Sequence, residues 1–151
     1  MQVTDLLSPE RIRTDVHAGS KKKLLEIISS LLTDNEDKDE LRLVFESLCA
    51  RERLGSTGLG RGVAVPHGRV HNTSVPRAAF VKLCKPIQFE TNETDPVDLL
   101  FALAIPENCT KDHLELLAQI TTMFADDEFV EQLRDSSSSK HLQQLLGSWK
   151  N

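Results

Sequence analysis

The chain has 151 residues, the usual size of one domain, with 39% hydrophobic and 27% charged residues and a formal net charge of −5. That balance disfavours a broad nucleic-acid-binding face. No apolar run approaches the ~18 residues of a membrane span, and Met1 to Leu7 lacks the basic-then-apolar pattern of a secretion signal. Cys49, Cys84 and Cys109 are widely spaced with no CxxC pair, so neither a disulfide framework nor a zinc site is expected, and a reducing cytoplasm fits.

Ile12, Thr14, Val16 and Ala18 alternate and predict a strand that Gly19 ends, with Ser20 as a helix cap. Leu24, Leu25, Ile27, Ile28, Leu31 and Leu32 form the apolar stripe of the following helix, and Lys21, Lys22 and Lys23 make a basic corner in its first turn. Asp37 with Glu40 resembles a capping box for a second helix, which turns Leu41, Val44, Phe45, Leu48 and Cys49 inward and stops before Gly55.

A glycine-rich stretch, Gly55 to Gly62, leads into Val63-Ala64-Val65, a short buried strand that should stop at Pro66, which has no N–H to donate. Ala78 to Leu83 predicts a further strand. Val97 to Ile105 is apolar at nearly every position, the pattern of a central strand covered on both faces. Three helices should follow. The first is capped by Thr110, with Leu114, Leu117, Ile120 and Phe124 inward. The second is capped by Asp126 and buries Phe129, Val130 and Leu133. The last lies beyond the serine connection Ser136 to Ser139 and carries Leu142, Leu145, Leu146 and Trp149. Strands and helices alternating around one buried strand predict an α/β fold, a three-layer α/β/α sandwich over residues 1–151, with antiparallel neighbours where connections are too short for helical crossovers.

His67 is the residue best placed for chemistry. Pro66 and Gly68 hold it at the mouth of a strand. The glycines before it could present backbone N–H groups to an anion, Ser56 and Thr57 add hydroxyls, and Arg51, Arg53, Arg61 and Arg69 add positive charge. Glycine content alone is equally met by a plain surface loop, and the pattern matches neither a P-loop nor a dinucleotide fingerprint. His113, third in its helix if Thr110 is the cap, would have its pKa lowered by the helix N-terminus and could donate to an anion as a neutral ring, although an ordinary packed histidine reads the same way. His67 and His71 share the spacing of helical metal ligands, but Pro66, Gly68 and Val70 do not read as helix, so no metal is expected. His17 and His141 belong to no constellation.

The run Arg51-Glu52, Gly55-Ser56-Thr57-Gly58-Leu59-Gly60 and Gly62-Val63-Ala64-Val65-Pro66-His67-Gly68-Arg69 resembles the active-site signature of the enzyme IIA family, fructose–mannitol class, of the bacterial phosphotransferase system. Asp95 to Leu103 resembles that family's central strand, and Lys111 to Leu114 the start of its next helix. The resemblance implies a mixed sheet and a phosphorylatable His67 that reacts through Nε2. It sets Arg51, Ser56 and His113 around that ring, and the hydroxyls and N–H groups of the preceding loop make Thr57 and Gly58, with Ser56, the expected phosphoryl-binding residues. It further implies a histidine-phosphocarrier protein as donor, no metal or cofactor, and a cytoplasmic location. Gly68-Arg69 after the histidine, and the lack of a transporter segment, resemble the nitrogen-regulatory branch, whose output would be a target such as a potassium transporter or sensor kinase. The alternative is a sugar-specific member that passes the group to a transporter IIB domain.

Overall fold

A computed structural model describes residues 1–33, 37–71, 73, 75–89 and 95–150. Two 3-10 turns, Val3–Leu6 and Pro9–Arg11, precede β1 (Ile12–Val16) and have no counterpart in the sequence expectations. Then come α1 (Lys21–Leu32), α2 (Lys38–Arg53), β2 (Gly58–Gly60), β3 (Val63–Ala64), β4 (His67–Val70), β5 (Arg77–Ile87), β6 (Val97–Pro106), α3 (Thr110–Ala125), α4 (Asp127–Asp135) and α5 (Ser139–Ser148).

Among the described residues six strands form one mixed sheet in the order β1-β5-β6-β3-β2, with β4 also on β6. β1 runs parallel to β5, and both β3 and β4 run parallel to β6, whereas the β5–β6 and β2–β3 pairs are antiparallel. Side chains alternate across β6. Leu99, Phe101, Leu103 and Ile105 join one core with α3, α4 and α5, while Leu100, Ala102 and Ala104 join the other with α1 and α2. The sheet is thus covered by helices on both faces, the three-layer arrangement that the apolar β6 sequence requires.

The strand expected to end at Pro66 instead pauses and resumes. Val63 and Ala64 sit opposite Leu99 and Leu100, and His67 and Gly68 opposite Leu103 and Ala104, so β3 and β4 share one register along β6. In the gap, the Val65 N–H turns away to Thr57 O at 3.0 Å, and Pro66 keeps contact through its carbonyl, which accepts from Leu103 N at 3.0 Å. His67 therefore begins a strand rather than closing one.

Gly68 does more than hold His67 at a strand mouth. A Cβ there would overlap Ser47 Oγ of α2, so glycine lets α2 pack directly on β4. The Ser47 hydroxyl donates to Arg69 O at 2.8 Å across this contact.

Several helix ends differ from expectation. Ser20, Asp37 and Asp126 cap as expected, but Glu40 pairs with Arg77 rather than completing a box with Asp37. Cys109 takes the N-cap position of α3, which makes Thr110 the first helical residue. Leu114 is 66% exposed, and Leu116 and Met123 join Ile120 and Phe124 inside instead. The serine run is more than a connection, because Ser138 Oγ accepts from His141 N at 3.1 Å and caps α5. β1 stops at Val16 next to Asp15, whose φ is +55°. β5 runs past its expected end at Leu83 and through the exposed Pro86, at a register irregularity between Lys82 and Ile87 where the missing N–H is tolerated.

Candidate functional site

Strand alternation turns Gly68 toward α2 and His67 toward the opposite face, where α3 presents His113 and Leu117. The His67 ring is 9% exposed as a residue, and its Nδ1 lies 2.7 Å from Val65 O. A carbonyl can only accept, so Nδ1 carries the proton and the neutral ring keeps its lone pair on Nε2.

His113 meets His67 edge-on, with ring centroids 5.3 Å apart and planes at 81°. It is the fourth residue of α3, so its backbone N–H is already committed to Cys109 O at 3.0 Å. Its Nε2 is buried and has no hydrogen-bond partner among the described residues. Both rings are held below the ordinary histidine range. For His67 burial is the main cause, with the Val65 hydrogen bond opposing it, the Arg51 charge adding to it and the Glu52 charge opposing it. For His113 burial again leads, ahead of His67, Arg69 and Arg51, so burial rather than the helix terminus is the main cause. At neutral pH both rings are uncharged, which leaves His67 Nε2 nucleophilic and gives His113 one N–H to donate.

Two hollows meet at His67. The larger, about 600 Å³, lies between the C-terminal end of α2, β4 and the start of α3, and includes Arg51, Arg69, Thr110 and His113. The smaller, about 220 Å³, is bounded by Ser56 to Leu59, Val65 and Thr121. Arg51, His67 and Leu117 belong to both. Arg51 Nη1 donates to Gly55 O at 2.9 Å, which steadies the guanidinium at the junction. Arg69 donates to Thr110 Oγ1 at 3.2 Å on the far wall.

The structure brings His67, His113, Arg51, Ser56, Thr57 and Gly58 together around these hollows. Within that set, Ser56 Oγ accepts the Gly58 N–H at 3.0 Å, and the Thr57 hydroxyl donates to Glu52. Other expectations fail. Arg61 reaches away to Asp127 and the Phe124 carbonyl, and Gly60 and Gly62 (φ +84° and +83°) form the β2–β3 hairpin turn rather than an anion cradle at His67. A Cβ on Gly62 would also run into Arg134, which grips Asp98 at 2.8 Å. His71 pairs with Glu107 at 2.6 Å on the surface. Within the basic corner, Lys21 is committed to Glu52 at 2.9 Å and Lys23 faces Glu26 at 3.8 Å. Glu52, which follows Arg51 in the signature without an expected role, is a buried acid beside the site.

This geometry can accept a group onto Nε2 of one histidine and steady its oxygens with a second histidine and an arginine. The family model of the phosphoenolpyruvate-dependent sugar phosphotransferase system, EIIA 2, matches residues 5–149. A nitrogen regulatory protein of Pseudomonas aeruginosa is 38% identical over 146 residues, covering 97% of this chain and 95% of the relative. One from Escherichia coli K12 is 39% identical over 147 residues, covering 97% and 90% respectively. The crystal structure of the nitrogen regulatory protein IIA-Ntr of Neisseria meningitidis superposes with a TM-score of 0.87 at 38% identity, over 95% of this chain and 98% of that one. IIA mannitol of Escherichia coli shares the fold, with a TM-score of 0.73 at 21% identity over 92% and 97% of the two chains.

Proposed function

The chain belongs to the EIIA 2 family of the phosphoenolpyruvate-dependent sugar phosphotransferase system, and from that premise we propose that His67 is its phosphoryl acceptor, in one phosphocarrier domain spanning residues 1–151. The protein is an enzyme IIA-type phosphotransferase of the nitrogen-regulatory kind, acting by histidine-mediated transfer. The observation that carries the assignment of His67 is the Nδ1–Val65 hydrogen bond at 2.7 Å, which leaves Nε2 unprotonated beside the unpartnered Nε2 of His113.

A phosphorylated histidine-phosphocarrier protein docks over the larger hollow, whose rim exposes Leu54 (85%) and Leu114 (66%) as apolar contact surface between Arg51 and Arg69. His67 Nε2 attacks phosphorus in line. The new N–P bond forms as the donor's N–P bond breaks, and the donor ring leaves with the electron pair. No proton needs to move. The His67 ring gains positive charge, which its Nδ1–H shares with the Val65 carbonyl. Arg51 clamps phosphoryl oxygens from the junction of the two hollows, and His113 donates one hydrogen bond. Ser56 and the Gly58 backbone shape the smaller hollow, while Thr57 acts through the loop, since its hydroxyl is directed to Glu52. Positioning and charge stabilisation carry the catalysis, as is general for phosphoryl transfer.

The output is regulatory. Phosphorylation adds about −2 charge to a rim that is otherwise cationic and apolar, which alters what can bind there. The targets we infer are a potassium transporter or a sensor kinase, and the site of action is the cytoplasm; among the described residues no helix is long and apolar enough to cross a membrane. A chase experiment tests this reading. The protein is phosphorylated on His67 from the carrier, isolated, and offered either the carrier or fructose- and mannitol-type IIB domains. Retention of the group in the presence of the IIB domains, with return to the carrier, is expected. Rapid loss to a IIB domain would instead make the protein a sugar-specific enzyme IIA.

A further inference from the structure

Glu52 is an acid in an unfavourable place. It is 9% exposed and sits in the last turn of α2, where the helix dipole disfavours negative charge. Removing a carboxylate from water is costly unless it is well partnered. Two partners meet it: the Lys21 ammonium at 2.9 Å and the Thr57 hydroxyl. Those contacts join the start of α1, the end of α2 and the loop before β3.

From Thr57 the connection runs to the reacting ring in two steps. The Thr57 carbonyl accepts the Val65 N–H at 3.0 Å, and the Val65 carbonyl accepts the His67 Nδ1–H at 2.7 Å. The same contact that selects Nε2 as the free nitrogen is therefore anchored, through one loop, on a buried carboxylate. We infer that Glu52 is a positioning residue for His67: it holds the Thr57–Val65–His67 chain in place and sets a negative potential behind the ring. The inference deepens the reading of His67 as acceptor and rests on it.

The charge has a chemical role as well as a steric one. Attack through Nε2 turns a neutral ring into a cationic one that keeps its Nδ1 proton. Arg51 and His113 face the ring, and Arg69 stands near His113. The two guanidinium groups favour the incoming phosphoryl oxygens but oppose positive charge on the ring. Glu52 is the acid whose charge offsets Arg51 at His67. With it the site can suit a dianionic phosphoryl group on one side of the ring and a cationic ring on the other.

Two variants test the inference. Glu52→Gln preserves volume and can still accept the Thr57 hydroxyl, but removes the charge. Thr57→Val preserves the charge but cuts the tether. His67 is followed in the unphosphorylated protein by long-range proton–nitrogen NMR correlations across a pH titration, and transfer by rapid quench from the phosphorylated carrier. In Glu52→Gln, His67 should titrate at lower pH than in wild type, and transfer should slow about tenfold with the fold intact. In Thr57→Val, the nitrogen shifts should lose the Nδ1–H pattern in favour of averaging between the two tautomers. A Glu52→Gln titration that overlays wild type, or a Thr57→Val ring with wild-type nitrogen shifts, would overturn the role assigned to Glu52. Because the NMR readout needs no phosphoryl donor, failure of His67 as the acceptor would show separately, as a wild-type protein that takes up no phosphate.

Discussion

Replacing Arg51 with alanine removes the one guanidinium that borders both hollows at His67. A hydrogen bond to a charged group contributes about 1.5–3 kcal/mol. At about 1.4 kcal/mol per decade of rate, loss of one such bond in the transition state slows transfer about 10- to 150-fold. The Arg51 contact with the Gly55 carbonyl is solvent-exposed, so its loss should leave the fold in place. A second effect, on the protonation of His67, adds to the first as pH falls. Arg51 helps hold His67 in its neutral form, so the variant's ring protonates at higher pH than wild type. The assay is single-turnover mixing with phosphorylated carrier, quenched and read as intact mass under alkaline conditions. At pH 8 both proteins have a neutral His67, and the rate ratio reports the lost clamp alone. Near pH 6 the gap should widen. Arg51→Lys, which keeps the charge but not the two-pronged geometry, should fall between. Rates within about twofold of wild type at pH 8 would remove Arg51 from the transition state.

Gly68→Ala places a methyl group into Ser47 and should destabilise the protein by about 1–3 kcal/mol, read as a melting temperature lower by several degrees. An unchanged melting temperature would mean that α2 yields at no cost. The depressed pKa values of His67 and His113 also shape stability. The unfolded chain takes up protons at the ordinary histidine value of 6.5, above the pH at which the folded rings do, so stability is fullest above that value and falls as pH drops through the folded pKa values. The double variant His67→Gln, His113→Gln should therefore show a flatter melting temperature between pH 8 and 5 than wild type. Leu114→Ser should raise the carrier concentration needed for half-maximal transfer and leave stability unchanged, because Leu114 is 66% exposed at the rim. A loss of saturated rate instead would place Leu114 in the chemistry rather than the docking.

The apolar run from Val97 to Ile105 foretold β6 and its two covered faces, because a strand buried on both sides leaves no polar alternation. The segment from Gly62 to Arg69 made His67 legible, since a proline and a glycine around a histidine constrain the backbone locally. What stayed hidden depends on tertiary placement. Nothing local to Arg61 says that its side chain will leave for Asp127, and nothing local to Leu114 distinguishes it from the inward Leu116 until the rotation of α3 is known. The expected strand end at Pro66 failed because a missing N–H interrupts one bond of the ladder and not its register, which resumes on Leu103. The signature contains Glu52 but not its role, for the same reason: its partners, Lys21 and Thr57, come from opposite sides of α2 in the chain and meet only in the fold.

The measurement that bears most directly on His67 uses wild type and His67→Ala side by side, each incubated with phosphoenolpyruvate, enzyme I and a histidine-phosphocarrier protein, with the carrier omitted as control. Intact masses are read under mildly alkaline conditions that preserve phosphohistidine. A single phosphoryl addition to wild type that needs the carrier and is absent from His67→Ala is the predicted result. Carrier-dependent addition to His67→Ala at the wild-type level would place the acceptor elsewhere and contradict the account.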